Sequence, residues 1–263
     1  MKIIVLIKQV PDTTNVSINP DTNTLMREGV ESIINPFDMY AIEEALRLKE
    51  RLNGEPETVV LSMGPPQVET ALREALSMGI DKAVLLTDRK FAGSDTLATS
   101  YTLAAAIKKL DDYSLVLCGK QAIDGDTAQV GPGVATWLDL PIATYIRKIE
   151  EIDKEKILVE RLMDMGYDRI SLKLPALLTV VKELNEPRLP SLRGKLKAKK
   201  AEIINWGFED LGIEEDMIGL DGSPTYVVKI FSPPPKQGGE KFHGNPEDSA
   251  KKIFEYLTST KII

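Results

Sequence analysis

The chain has 263 residues, of which 43% are hydrophobic and 28% charged, as in a soluble globular protein with one large domain or a domain with appendages. Its formal net charge of −7 at pH 7 disfavours general nucleic-acid binding. Cys118 is the only cysteine, which excludes an internal disulfide and a cysteine-based zinc or iron–sulfur site.

The first predicted element is a buried strand over residues 3–10, "IIVLIKQV". Its uninterrupted apolar run ends at Lys8, which makes it too short for the core of a signal peptide, and no small-residue cleavage site follows. No apolar run in the chain approaches the ~20 residues needed to cross a bilayer. We therefore expect a cytoplasmic protein without direct membrane insertion.

Strand and helix signals alternate through the first half of the chain. Short runs of Val, Ile and Leu bounded by turn residues predict buried parallel strands over residues 58–64, 82–88 and 114–119. Helices are predicted over residues 35–52, 66–79 and 94–110. Repeated β-α-β units predict an α/β fold with a doubly wound, mainly parallel sheet, in which ligands bind outside the carboxyl ends of the strands.

Residues at the predicted helix ends agree with these boundaries. Asn35 is expected to cap the first helix, with Pro36 in its first turn. Gly79 is a natural stop for the second helix, and Ser94 or Asp95 is expected to cap the third.

Residues 119–138, "GKQAIDGDTAQVGPGVATWL", follow a buried strand and enter a predicted helix. Asp126 is expected to be the N-cap, with Gln129 in capping-box spacing, so that the first-turn backbone N–H groups from Thr127 onward could bind phosphate. Gly125, Gly131 and Gly133 are expected to lack side chains because a ligand or a strand must approach closely there, and the carboxylates of Asp124 and Asp126 must point away from the ligand.

The same spacing is equally that of a well-capped βα turn that binds nothing. The chain has no lysine-serine pair of a P-loop in this segment and no G-x-G-x-x-G after the first strand. A standard dinucleotide-binding Rossmann domain is therefore not expected.

The pattern changes after Pro141. Alternating apolar and polar residues predict antiparallel strands over residues 143–153, 156–164 and 168–174, and a buried strand is predicted after Pro175. A basic, proline-containing segment and an acidic stretch follow, and then a Pro-rich connection and a final helix over residues 246–259. His243, the only histidine, lies in that Gly-rich polar connection and is interpreted as a solvated loop residue, not as part of a Ser-His-Asp group.

The chain resembles the beta (small) subunits of the electron transfer flavoproteins along almost its whole length. The matching stretches are "VLIKQVPDT", "INPFDMYAIEEALRLKE", "LSMGPPQVETALREALSMGIDKAVLL", "LCGKQAIDGDTAQVGP", "LKLPALLTVVKELNEPR" and "KAKKAEI". The resemblance implies an adenine-nucleotide-binding, Rossmann-like fold over residues 1–184. It also implies a recognition loop and partner-contacting segment over residues 185–231 and a C-terminal arm over residues 232–263. The arm has too little apolar material to fold alone and is expected to dock on its own core or on another chain.

In that family the beta subunit pairs with an alpha subunit that carries the electron-transferring FAD. The beta subunit holds AMP in the simple carriers and a second FAD in the electron-bifurcating members. Carried over by motif, the pocket would consist of Leu6, Asn35, Pro36, Phe37, Asp38, Met63, Gly119, Lys120, Gln121, Ala122, Ile123, Asp124, Gly125, Asp126, Thr127, Ala128, Gln129 and Val130.

The loop "DGDTAQVGP", together with "VPDT" at residues 10–13, is similar to the bifurcating type, because simple carriers tend to have bulkier or acidic residues in place of Gly125. This resemblance implies FAD in this chain, NADH as electron donor, and ferredoxin and a quinone- or dehydrogenase-linked acceptor. The alternatives are a simple carrier subunit with structural AMP and a nucleotide-binding regulatory module without a redox role. We identify no catalytic residue and no metal ligand, because a flavin itself carries out hydride and electron transfer.

The segment "NEPRLPSLRGKLKAKK" resembles the family's recognition loop, in which Leu192 occupies the position of the anchoring leucine. An exposed leucine on a proline-restricted loop could fill an apolar pocket of a partner dehydrogenase while the cations steer the encounter. The alternative is a basic connector whose leucine is tucked into the core. Arg193 and Gly194 after the leucine depart from the simple carriers, which leaves the identity of the partner open.

Overall fold

The computed structural model describes residues 1–12, 31–228, 239, 241 and 244–263. These residues form two units, Met1–Val227 and Val228–Ile263. Thr13, His243 and most of the predicted Pro-rich connection lie outside the described residues. None of the helices in the described part is long and apolar enough to span a membrane.

The first unit is built on a nine-stranded, mainly parallel sheet. Its strands are β1 (Lys2–Leu6), β4 (Glu57–Met63), β5 (Lys82–Leu86), β6 (Leu115–Gly119), β7 (Ile142–Ile152), β8 (Lys156–Met163), β9 (Gly166–Lys173), β10 (Ala176–Val180) and β11 (Ile203–Trp206), while β2 (Gln9–Pro11) and β3 (Ser32–Ile34) form a separate antiparallel pair. The order in the sheet is β11-β5-β4-β1-β6-β10-β7-β8-β9. All neighbours from β11 to β7 are parallel, and β8 and β9 add antiparallel strands at one edge. The predicted fold class, with its antiparallel excursion, is confirmed.

Helices cover both faces of the sheet. In the first unit the helices are α1 (Pro36–Arg51), α2 (Glu69–Met78), α3 (Thr96–Leu110), α4 (Val130–Trp137), α5 (Leu192–Lys200) and α6 (Phe208–Leu211). The second unit contains α7 (Pro246–Ser259), which is described by itself. Successive residues of a strand point to opposite faces, so that Ile3 packs in the cluster with α1 and α2 whereas Ile4 packs in the cluster with α3 and α4. Burial on both faces explains why these strands read as continuous apolar runs.

The direction of winding reverses next to β1. From β1 the chain proceeds outward through β4 to β5, and it then returns to place β6 on the other side of β1. The crevice outside the carboxyl ends of β1 and β6 is therefore the topological switch point, where open α/β sheets bind their ligands.

The predicted strand over residues 3–10 is wrong in its second half. β1 ends at Leu6, and the chain leaves the sheet because the backbone N–H of Lys8 donates to Asp38 Oδ2 (2.8 Å) and its carbonyl accepts from the N–H of Asn35 (2.8 Å). Gln9 and Val10 then pair with β3 instead. The start of α1 thus ends the first strand.

β11 was not predicted. It has four residues and begins after the basic segment, too short for a periodic signal. Its hydrogen-bonding partner is β5, about 120 positions earlier, in the register Ile203 to Ala83 and Trp206 to Leu86. The segment predicted as partner-contacting therefore also completes one edge of the sheet.

Candidate functional site

The predicted pocket residues come from four segments that meet at the carboxyl edge of the sheet. Asn35 to Asp38 begin α1, Gly119 to Val130 follow β6, and Leu6 and Met63 end β1 and β4. Leu6 is buried in the core beneath this edge, and Met63 is half-buried against the same core cluster. Both residues pack in the core cluster on the α3 and α4 side of the sheet, and the polar groups at this edge come from α1 and the loop after β6.

Asp38 joins three elements at the switch point. Its Oδ2 accepts from the N–H of Lys8 (2.8 Å) and its Oδ1 from the N–H of Gly119 (3.0 Å), which ties the chain after β1 and the end of β6 to α1. Burial raises the pKa of the Asp38 carboxyl to about 7, against the opposing effect of these hydrogen bonds. A buried carboxylate in this position holds the crevice in shape.

Gly119 permits this close approach. A Cβ at position 119 would lie 2.5 Å from Asp38 Oδ1 and 2.7 Å from the backbone carbonyl carbon of Phe37, so that any side chain would separate α1 from β6. Asn35 adds a second attachment, since its side chain donates to the carbonyl of Gln121 (2.9 Å) and accepts from the N–H of Ile123 (3.1 Å). Asn35 does occupy the N-cap position of α1, but its side chain holds the loop and makes no capping hydrogen bond.

The predicted N-cap at Asp126 is wrong. α4 begins at Val130, and Asp126 has a positive φ of 56° with its N–H donating to the carbonyl of Ala122 (2.8 Å). Its carboxylate contacts Gln121 Nε2, and Gln129 Oε1 accepts from the hydroxyl of Thr96 (3.0 Å), so that no capping box forms. The chain therefore makes a turn over residues 122–126 and begins the helix only at Val130.

The charged side chains of the loop each have a contact within the chain, and one of these contacts is an ion pair. Lys8 Nζ lies 2.7 Å from Asp124 Oδ1, and Gln121 holds Asp126. Lys120 Nζ lies 4.9 Å from the centroid of the Phe37 ring. Lys8 is a site residue that the sequence reasoning missed, although a cation placed directly after the first strand is a signal that could have found it. The ion pair with Lys8 reduces the repulsion between Asp124 and an anion, whereas the neutral amide of Gln121 leaves the charge of Asp126 in place.

The loop has free backbone donors and open space, as a phosphate-bearing ligand requires. In the part of the chain that the structure describes, no acceptor receives the backbone N–H of Gly125, Thr127, Ala128 or Gln129. A Cβ at Gly125 would meet no atom within 4 Å. Unpaired N–H groups beside open space fit the oxygens of a phosphate or diphosphate.

The other two glycines of the loop have a different role. A Cβ at Gly131 would lie 2.8 Å from Thr179 Cγ2, and one at Gly133 would lie 2.7 Å from Ser100 Oγ. These two glycines allow α4 to pack closely on β10 and α3 and leave no room for a ligand. Of the three glycines, Gly125 alone faces open space.

The segment with Leu192 is a helix over most of its length, not a loop. α5 runs from Leu192 to Lys200, and the Ser191 side chain caps it by accepting from the N–H of Gly194 (3.0 Å). Leu192 is 77% exposed, which excludes the alternative of a leucine tucked into the core. The leucine therefore lies at the first turn of a short basic helix.

Comparisons with known proteins cover the whole chain. A family model described as the electron transfer flavoprotein domain matches residues 22–211. The electron transfer flavoprotein subunit beta of Thermoanaerobacterium thermosaccharolyticum is 52% identical over 264 residues, covering 100% of both chains. Subunit CarD of the caffeyl-CoA reductase-Etf complex of Acetobacterium woodii is 52% identical over 244 residues, covering 93% of this chain and 92% of that one. The electron transfer flavoprotein subunit beta of Megasphaera elsdenii is 47% identical over 272 residues, covering 100% of both chains.

Proposed function

Because the chain belongs to the electron transfer flavoprotein family as a beta subunit, we propose that it holds an FAD of its own and serves electron bifurcation. Its family implies an alpha-subunit partner and a dehydrogenase partner. In this proposal the heterodimer takes electrons from NADH and passes them to ferredoxin and to a quinone- or dehydrogenase-linked acceptor.

The observation that carries the proposal is the open space at Gly125 beside unpaired backbone N–H groups. AMP has one phosphate to place, whereas FAD has two, and the second needs both further donors and unoccupied volume. The N–H groups of Gly125, Thr127, Ala128 and Gln129 offer these donors, and no atom lies within 4 Å of a Cβ at Gly125. A bulky or acidic residue at this position would fill that space or repel the second phosphate.

The other pocket residues would position the nucleotide. Asp38 and Asn35 hold the chain after β1 and the loop after β6 against α1, and Lys8 neutralises Asp124 beside the loop. Lys120, above the Phe37 ring, would place a positive charge at the crevice. Bound FAD would supply hydride acceptance and electron transfer, and the chain's residues would supply binding and electrostatics.

The relative CarD supports a reductase as the physiological partner. Its name places it in a complex of caffeyl-CoA reductase with an Etf, and its 52% identity covers 93% of this chain. We therefore propose a dehydrogenase or reductase acting on an acyl-CoA as the protein that docks on this heterodimer.

Release of the bound nucleotides from the purified heterodimer tests the cofactor assignment. We expect two FAD and no AMP per heterodimer, one FAD in each chain. One FAD with one AMP would contradict the proposal and leave the simple carrier, and a nucleotide that exchanges with added ATP would favour the regulatory module. The measurement is quantitative chromatography of the released nucleotides against protein concentration.

Leu192 is proposed as the anchor for the dehydrogenase. It is 77% exposed on a capped helix, as an apolar anchor must be before it is buried by a partner. We expect Leu192→Ala to weaken binding of the co-purifying dehydrogenase by ~2 kcal/mol, roughly 30-fold, with nucleotide content unchanged. Met165→Ala, at a 99% exposed apolar side chain outside residues 185–231, is the control. Unchanged electron exchange with the dehydrogenase in the Leu192 variant would remove the anchor assignment.

A further inference from the structure

Arg188 is held by two carboxylates of α1 at once. Its Nε and Nη2 donate to Glu43 Oε2 (2.8 Å) and Oε1 (3.1 Å), and its Nη1 and Nη2 donate to Glu50 Oε1 (2.6 Å) and Oε2 (3.2 Å). The backbone N–H of Arg188 also donates to Glu43 Oε2 (3.1 Å). The guanidinium therefore makes two bidentate contacts, a geometry that its planar fork allows.

Two neighbours of Arg188 are attached to the same helix. Asn185 Nδ2 donates to the carbonyl of Tyr40 (3.0 Å) and to Glu44 Oε2 (2.9 Å). Arg47 donates both to Glu43 Oε1 (2.7 Å) and to the carbonyl of Glu186 (3.1 Å). Residues 185–188 are thus fastened to the middle of α1, the helix whose first residues form the nucleotide crevice.

The electrostatics of the Arg188 contact are those of a strong ion pair. The Glu43 side chain is 3% exposed, and hydrogen bonds from Arg188 and Arg47 hold its pKa below the ordinary value although burial acts in the opposite direction. Hydrogen bonds from Arg188 also hold the pKa of Glu50 below its ordinary value. Both carboxylates are therefore charged at neutral pH, and removal of the guanidinium would leave a buried carboxylate with one partner fewer.

The far end of the segment is attached to a different helix. A Cβ at Gly194 would lie 2.1 Å from the carbonyl oxygen of Ser77, so that the start of α5 lies directly on the end of α2. Arg73 Nη1 donates to the carbonyl of Ala198 (2.6 Å) at the end of α5. The chain between Arg188 and Gly194 is held at both ends.

This doubly held stretch carries the most exposed leucines of the region. Leu189 is 90% exposed and Leu192 77%, and Leu196, one helical turn after Leu192, is 58% exposed. α5 has no carboxylate, and its five cations are Arg193, Lys195, Lys197, Lys199 and Lys200. The segment therefore offers an apolar patch within a positive field, which fits an apolar pocket with an acidic rim.

We propose that Arg188 is a positioning residue for partner docking: its contacts with Glu43 and Glu50 hold the leucine-bearing segment in its binding conformation before the dehydrogenase arrives. The inference rests on the proposed docking role of Leu192. A segment ordered in advance does not add the loss of its conformational freedom to the cost of association. Arg188 itself need not contact the partner.

Arg188→Lys tests this role with the positive charge retained. An ammonium is a point charge and cannot make two bidentate contacts, so the variant separates fork geometry from charge. Arg193→Lys is the matched control, since Arg193 is exposed on the same segment and its side chain makes no hydrogen bond or ion pair within the part of the chain that the structure describes. Both variants are made in the heterodimer with its alpha subunit. The measurements are hydrogen exchange of peptides covering residues 189–196, nucleotide content, thermal melting, and KM and kcat with the co-purifying dehydrogenase.

In Arg188→Lys we expect faster exchange at residues 189–196 and a rise in KM for the dehydrogenase of roughly tenfold, since binding must now order the segment. We expect kcat at saturating dehydrogenase to be unchanged, and the nucleotide content as well. A general loss of stability would lower both. Arg193→Lys leaves the exchange rates unchanged.

Three results would overturn the inference about Arg188. Each can be distinguished from a failure of the docking proposal for Leu192. Unchanged exchange in Arg188→Lys shows that the ion pairs do not hold the segment. Faster exchange with an unchanged KM, while Leu192→Ala raises KM, shows that pre-ordering is irrelevant to docking. Loss of nucleotide in parallel with the rise in KM assigns Arg188 a structural role only. If Leu192→Ala leaves KM unchanged, the docking proposal itself fails and this inference fails with it.

Discussion

Replacing Gly125 by Asp is expected to lower the flavin content of the heterodimer from two FAD to one and to abolish NADH oxidation at this site. A carboxylate ~4 Å from a phosphate charge costs about 4 kcal/mol at an effective dielectric constant of ~20, roughly a thousand-fold in affinity. The fold itself should tolerate the change, because a Cβ at this position meets no atom within 4 Å and Gly125 is not among the glycines with positive φ.

Gly125→Asn is the matched control, because it has nearly the same size without the charge. We expect it to retain more FAD than the aspartate variant, and the FAD of the alpha chain to stay bound in both. The measurements are nucleotide content per heterodimer and the rate of NADH oxidation. Full retention of two FAD in Gly125→Asp would contradict the placement of the phosphates, and equal loss in both variants would show that volume, not charge, decides.

Replacing Asp38 by Asn is expected to destabilise the chain and to loosen the crevice enough for its nucleotide to be lost on purification. The carboxylate accepts from the N–H groups of Lys8 and Gly119 through its two oxygens, whereas an amide has one acceptor oxygen. One buried N–H then lacks a partner, at a cost of about 1–3 kcal/mol. Asp168→Asn, at an exposed carboxylate of β9, is expected to change stability by less than ~0.5 kcal/mol.

The pH dependence of this effect has a definite sign. The pKa of Asp38 is raised from 3.8 to about 7 in the folded chain, so that the folded state binds more protons than the unfolded state between these values. The contribution of this group to stability is therefore present in full below about pH 4 and is lost as the pH rises towards 7. Asparagine does not titrate, so the stability difference between the unmodified chain and Asp38→Asn should be larger at pH 5 than at pH 8. Denaturant unfolding at the two pH values measures it, and a difference that grows with pH would contradict the burial argument.

The local patterns of the sequence were sufficient for most of the regular structure. The runs predicted as buried strands at residues 58–64 and 82–88 lie within one or two residues of β4 and β5, because strands buried on both faces must be apolar throughout. Asp95, one of the two predicted caps, does accept from the N–H groups of Leu97 (2.9 Å) and Ala98 (3.1 Å). Short-range hydrogen bonds and periodic burial leave a signal within a few residues of where they act.

The sequence predicts where the loop of the candidate site lies in the fold, but not which contacts its residues make. A loop after β6 at the edge of a doubly wound sheet was predicted from strand and helix order alone, and the structure places it at the switch point. The sequence pattern predicts close approach of a ligand or strand at all three of Gly125, Gly131 and Gly133, but Gly125 faces open space, whereas Gly131 and Gly133 allow packing against β10 and α3. The sequence does not distinguish a glycine that leaves space for a ligand from one that allows close packing, because the difference lies in the atoms that surround it in the folded chain.

By itself the sequence determined the fold class, the alternation of strands and helices in the main sheet as far as β10, and the membership in the flavoprotein family, since these depend on local periodicity and on long motifs. The tertiary structure decided where β1 ends, where α4 begins, that β11 joins the sheet, and that Arg188 is fastened to α1. Each of these involves partners distant in the chain: Asp38 with the N–H of Lys8, Gln129 with Thr96, β11 with β5, and Arg188 with Glu43. Such contacts form only after the chain has folded back on itself, and no window of neighbouring residues contains both partners.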